Sequence, residues 1–143
     1  MMLEEQRSRA GGWSEPRILL AEDDDEMRRL LTERLRKQGY EVIENNDGLS
    51  LLDCITELRK QVRNGRFFDV DLIISDIRMP LVTGVEVLRE LRVIDRKTPV
   101  ILITAFGDEV TRARAFREGA SLVFDKPFDM DELLGAVREV VGA

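Results

Sequence analysis

Four groups of side chains in this sequence could do chemistry together: the acidic run Glu22-Asp23-Asp24-Asp25-Glu26, Asp76 after the apolar stretch Leu72-Ile73-Ile74-Ser75, Thr104, and Lys126. Taken singly, each has a bland reading. Aspartate and glutamate favour the first turn of a helix through capping and the helix dipole, threonine often ends a strand, and a surface lysine snorkels. Asp76 changes the balance, because a carboxylate ending an apolar segment loses its hydration unless something compensates. Several acids converging there need a cation. Mg2+ suits them, since it takes one or two carboxylates, keeps several waters and completes its shell with phosphate oxygens. A hydroxyl from Thr104 and an ammonium from Lys126 would hold the equatorial oxygens of a transferring phosphoryl group. Asp76 would then be the nucleophile and form an acyl phosphate.

Residues so far apart in sequence meet only if regular elements deliver them to one place. Ile18-Leu19-Leu20-Ala21, Leu72-Ile73-Ile74, Val100-Ile101-Leu102-Ile103 and Leu122-Val123-Phe124 are short continuous apolar runs, as expected of parallel strands covered on both faces. Tyr40-Glu41-Val42-Ile43-Glu44 mixes polar and apolar positions and reads as an edge strand. Between the runs the period turns helical: Met27, Leu30, Leu31 and Leu35 share one face of a first helix. Met130, Leu133, Leu134, Val137, Val140 and Val141 form the face of a last helix, which Asp129 can cap. Further helices are predicted at about 47–63, 83–94 and 107–118. Regular βα alternation implies an α/β, doubly wound parallel sheet with helices on both faces, because each right-handed crossover needs a helix-length connection. In such sheets the ligand site lies beyond the carboxyl ends of the strands. The four chemical groups stand at four such ends.

Composition narrows the classes further. The 143 residues are 43% hydrophobic and 35% charged, enough for one globular core without disulfides. No apolar run approaches the roughly 20 residues of a membrane-spanning helix, and Met1–Glu15 lacks the apolar centre of a secretory signal, so no membrane association is expected. The absence of histidine and the single Cys54 exclude an ordinary zinc site and an internal disulfide. Cys54, between Leu52 and Ile55, reads as a half-buried helix residue. A net charge of −6 argues against direct nucleic-acid binding by this segment.

Ile18 to Asp23, Ser75-Asp76-Ile77-Arg78-Met79-Pro80 with Gly84, Ile103-Thr104-Ala105 and Lys126-Pro127-Phe128 together resemble the bacterial response-regulator receiver family, over about Arg17 to Val141. The resemblance implies a flavodoxin-like three-layer (βα)5 fold with sheet order 2-1-3-4-5. It implies a phosphoacceptor at Asp76, a switch hydroxyl at Thr104 and the family's lysine at Lys126. Metal ligands would come from Glu22, Asp23, Asp76 and the backbone carbonyl of Arg78, with Mg2+ as cofactor. Glu22 stands where many members have aspartate, and its longer side chain is expected to reach the metal through water. The Lys126–Pro127 bond resembles the family's cis peptide. The implied partner is a sensor histidine kinase or a histidine phosphotransfer protein, followed by a phosphorylation-dependent homodimer or an effector, in the cytoplasm. The chain would be a signalling domain that catalyses only its own phosphorylation and dephosphorylation. Residues 1–15 read as a flexible tail and 16–143 as the receiver domain, with no output domain in the sequence.

Two stretches depart from the family pattern. The position three before the lysine, usually aromatic, is Val123, and Phe124 should face the other side of its strand. Either the switch is quieter or another ring such as Phe106 takes part, and the quieter switch is preferred. Leu49 to Asp71 is several residues longer than usual, so the second helix is expected to project. Phe67 and Phe68, after an Asn64-Gly65 break, would pack that extension down or form a small partner patch, packing being preferred. The rival readings are a haloacid-dehalogenase-like magnesium phosphatase, whose chain order differs, and a receiver-like interaction module that is never phosphorylated. A nucleotide binder is disfavoured, because the acidic run would repel phosphate and no Gly-x-Gly-x-x-Gly is present.

Overall fold

The structure, a computed structural model, describes residues 15–63, 65–105 and 109–142. Its strands are β1 (Arg17–Ala21), β2 (Glu41–Asn45), β3 (Val62–Arg63), β4 (Arg66–Phe67), β5 (Leu72–Asp76), β6 (Val100–Thr104) and β7 (Leu122–Asp125). Its helices are α1 (Asp25–Lys37), α2 (Gly48–Arg59), α3 (Gly84–Ile94), α4 (Glu109–Arg117) and α5 (Met130–Val141). The parallel sheet runs β2-β1-β5-β6-β7, which is the expected 2-1-3-4-5 once the separate β3–β4 hairpin is set aside.

The continuous apolar runs are explained by two cores, one on each face of the sheet. Leu19, Ile73 and Leu102 face Leu51 and Ile55 of α2 and Leu88 and Leu91 of α3. Their sequence neighbours Ile18, Ile74, Ile101 and Ile103 face Leu31 and Leu35 of α1 and Leu133, Leu134 and Val137 of α5. The alternation is that of any strand. Here both faces are covered, so every position is apolar.

Helix starts are fixed by side chains that accept the otherwise unpaired first N–H groups. Asp24 caps α1, Asp47 caps α2 and Asp129 caps α5, while Thr83 and Glu86 form a reciprocal capping box on α3. Most of the acidic run is thereby accounted for: Asp24 is the cap, and Asp25 and Glu26 are the first turn of α1. Cys54 is half-buried in α2, where burial pushes its thiol up.

Two expectations need correction. The second helix does not project to residue 63; it stops at Arg59, and the extra residues form the β3–β4 hairpin. Phe67 and Phe68 do not act together: Phe68 is buried, while Phe67 is 74% exposed. The helix predicted at 107–118 runs from Glu109 to Arg117 within the described residues. Phe106 and the tail up to Ser14 lie outside the described residues.

Candidate phosphoacceptor site

Sheet register alone brings the chemical groups together. Ala21 pairs with Ser75 and Asp76 with Ile103, so Glu22, Asp76 and Thr104 follow one another across three adjacent strand ends. Thr104 pairs with Asp125, so Lys126 leaves the sheet at the next position, and its N–H donates to the Thr104 carbonyl at 2.7 Å. Glu22 is held firmly: its N–H donates to the Asn45 carbonyl (3.1 Å), the Arg28 guanidinium donates to its carbonyl (2.9 Å), and the Asp24 N–H donates to its Oε2 (3.1 Å).

Lys126 closes the cluster. Its Nζ lies 3.0 Å from Glu22 Oε1 and 3.1 Å from Asp76 Oδ2, and Asp76 Oδ1 accepts the Arg78 N–H at 3.3 Å. Carboxylate oxygens of Glu22, Asp23 and Asp76 all fall within 4.8 Å of one another. The Lys126–Pro127 peptide is cis. Gly84 borders the site because only a missing Cβ fits there: a Cβ would sit 2.5 Å from the Asp76 carbonyl oxygen.

The electrostatics follow from this crowding. Burial pushes the Glu22 carboxyl above its ordinary range, Asp76 adds to the push, and the Asp24 N–H and Lys126 oppose it without cancelling it. Burial, with the charge of Glu22, also raises Asp23. Burial pulls the Lys126 ammonium down, but hydrogen bonds and charges from Glu22 and Asp76 outweigh it and leave the group above its usual value. Three carboxylates against one ammonium is an arrangement short of positive charge. A hard divalent cation with oxygen ligands fits that donor set.

Val123 packs toward the α2–α3 side of the sheet, whereas Phe124 joins the α1–α5 side and meets Phe128 edge to face, with ring centroids 6.4 Å apart. Phe124 therefore does not replace the missing ring, as strand alternation requires. A contact that the sequence did not reveal lies beside it. Arg112 of α4 donates to the Val123 carbonyl at 3.2 Å and pairs with Asp125, the residue before Lys126. Arg28 of α1, which donates to the Glu22 carbonyl, is likewise a contact the sequence does not reveal. Its role depends on where the strand ends come together.

The chain as a whole is similar to known proteins. A family profile described as response regulator receiver domain matches residues 18–138. The chain is 34% identical over 123 residues to Sporulation initiation phosphotransferase F of Bacillus subtilis, covering 86% of this chain and 91% of that protein. It is 37% identical to Regulatory protein AtoC of Escherichia coli K12 over 82% of this chain, and 34% identical to Transcriptional regulatory protein CpxR of the same strain over 87%. It spans only 23% of AtoC and 49% of CpxR. Among solved structures, response regulator protein TrrA from Thermotoga maritima in complex with Mg2+-BeF superposes with a TM-score of 0.71 at 31% identity, covering 87% of this chain and 98% of that one. The non-phosphorylated HemR receiver domain from Leptospira biflexa gives 0.78 at 27% identity, covering 90% and 96%. The chain belongs to the response regulator receiver domain family, and it is a signalling domain of two-component systems. No helix among the described residues is long and apolar enough to cross a membrane.

Proposed function

We propose that Asp76 is the phosphoacceptor of this receiver domain. A carboxylate oxygen of Asp76 attacks phosphorus of a phosphohistidine on a sensor histidine kinase or histidine phosphotransfer protein. An O–P bond forms, the P–N bond breaks with its electron pair staying on nitrogen, and the histidine leaves as neutral imidazole, the proton already being on its other ring nitrogen. The observation that carries this reading is the meeting of Asp76 with Glu22, Asp23 and the Lys126 ammonium at one strand end. Lys126 is placed to move from pairing with carboxylates to pairing with phosphoryl oxygens, and Thr104 supplies the neighbouring hydroxyl. Glu22, Asp23, Asp76 and the Arg78 carbonyl would hold Mg2+, as the complex of TrrA supports. The ion supplies positive charge against the incoming phosphate oxygens. In this reading the domain catalyses only its own phosphorylation and its slow loss by water.

The signal is the choice between two surface conformations, read by a second copy or an effector in the cytoplasm. With Val123 in place of a ring, the switch works through smaller displacements. Incubation with magnesium and a small phosphodonor should add one phosphoryl group to the intact mass, and Asp76→Asn should abolish it. An adduct that survives Asp76→Asn, or no adduct at all, sinks the assignment. Turnover of many phosphoester equivalents per protein would point instead to the phosphatase.

A further inference from the structure

At the end of the sheet opposite Asp76, the β3–β4 hairpin occupies the stretch that departs from the family's usual length. It is anchored rather than loose. Arg63 pairs with Glu41 at 3.2 Å, and Arg66 pairs with Asp69 and Asp71 at 2.8 and 3.2 Å. Asp71 also accepts the Arg17 N–H at 2.8 Å, so the hairpin is tied to the first residue of β1. On this fixed base Phe68 takes φ 55, a left-handed conformation that costs a non-glycine residue roughly 1–2 kcal/mol. The turn buries the Phe68 ring and leaves Phe67 outside, beside its cross-strand partner Val62, which is also exposed.

Phe67 and Ile94, at the end of α3, border a cleft of about 490 Å³ that also carries Arg59, Arg66, Lys97 and Asp95. The charges are not balanced within it. Asp95 is occupied by the N–H groups of Lys97 and Thr98 and by the Thr98 hydroxyl, and Arg66 is occupied by Asp69 and Asp71. Arg59 and Lys97 have no ion-pair partner among the described residues. Three cations and one carboxylate thus line the cleft, and the two cations without a direct ion-pair partner among the described residues flank an exposed aromatic ring, on a chain whose net charge is −6.

We infer that this cleft is a docking site for a protein segment bearing a large apolar side chain next to aspartates or glutamates. The apolar side chain packs on Phe67 and Ile94, and its carboxylates meet Arg59 and Lys97. Aromatic and arginine residues are the usual anchors of such contacts. The cleft is remote from the phosphoacceptor end, so docking does not depend on the chemistry at Asp76.

The test is selection from a displayed library of random short peptides on the whole chain, counter-selected on a Phe67→Ser, Arg59→Glu variant. Both positions are exposed, so the variant keeps the fold, which its circular dichroism will verify. Enriched peptides should combine acidic residues with a large apolar one. The strongest of them should bind about tenfold more weakly to the variant and equally well to Asp76→Asn. Its amide chemical-shift changes should be confined to the hairpin, the end of α2 and the turn after α3. Absence of enrichment, enrichment of basic peptides, or shifts elsewhere would overturn the inference. So would self-association relieved by Phe67→Ser, or peptide binding that occurs only after residues 1–14 are removed, since each names a different occupant. Failure here with Asp76 phosphorylation intact leaves the phosphoacceptor reading untouched.

Discussion

At the scale of single residues, the strand end that carries Asp76 is a set of close approaches, and two of them make sharp predictions. Gly84 lies where a methyl group would meet the Asp76 carbonyl oxygen at 2.5 Å and the Ile77 Cα at 3.1 Å. Both obstacles are backbone, so the site cannot yield by turning a side chain. Gly84→Ala should therefore destabilise the domain by about 1–3 kcal/mol in urea unfolding and should slow phosphorylation at Asp76 by shifting its peptide. Lys126 makes the opposite kind of contribution, since its ammonium offsets Glu22, which is 1% exposed, and Asp76. Removing one partner of a fully buried ion pair costs roughly 3–5 kcal/mol. With the Lys126 side chain 23% exposed, water takes up part of the loss, and Lys126→Met should cost about 2 kcal/mol. The same variant should bind Mg2+ more tightly by calorimetry, because one competing positive charge is gone, yet phosphorylate more slowly. Tighter metal binding with unchanged phosphorylation would remove Lys126 from the proposed chemistry.

At the scale of elements, what could be read from sequence followed from burial on both faces. Three of the four apolar runs could be read as strands because every position in them is buried, the fourth, Leu122–Phe124, being half-buried, and Asp129 could be read as a cap because a helical apolar face begins directly after it. Glu22, Asp76, Thr104 and Lys126 could be read together because each stands within two residues of the end of such a run. The end of α2 was not legible. Residues 57–61 have no helix breaker, and the helix stops where the hairpin anchored by Arg63 and Arg66 takes over, which is a tertiary fact. Nor could the opposite fates of Phe67 and Phe68 be read, since they turn on one positive φ. The turn from α3 to β6 offers a test at this scale. Burial works against the charge of Asp95, but the Thr98 hydroxyl and the N–H groups of Lys97 and Thr98 outweigh it and hold the carboxyl below its ordinary value. A depressed folded-state value means the ionised form stabilises the fold above the unfolded pKa, and this contribution disappears as pH falls through the folded one. Asp95→Asn should thus cost about 1 kcal/mol at neutral pH. The difference from the parent protein should shrink below about pH 4. A difference that stays constant across that range would show that the carboxylate charge is not what holds the turn.

At the scale of the whole molecule, the acidic cluster sets stability against function. Glu22, Asp23 and Asp76 crowd one end of a chain that already carries a net charge of −6, and the raised carboxyls of Glu22 and Asp23 show that their ionised forms are held at a cost. A divalent cation that binds only the folded arrangement returns that cost by mass action. At a hundredfold excess over its dissociation constant the gain is about 2.7 kcal/mol, which for a domain of this size raises Tm by roughly 5–15 °C. Ordinary salt acts differently: it screens the general repulsion beyond about 10 Å and leaves the close carboxylates almost untouched. Mg2+ should therefore raise Tm in proportion to the logarithm of its concentration, well above NaCl of matched ionic strength. In Asp76→Asn the magnesium-specific part should shrink, while the metal-free protein becomes more stable because one crowded charge is lost. Equal stabilisation by the two salts, or a magnesium effect unchanged by Asp76→Asn, would mean that the strand-end acids do not form the metal site.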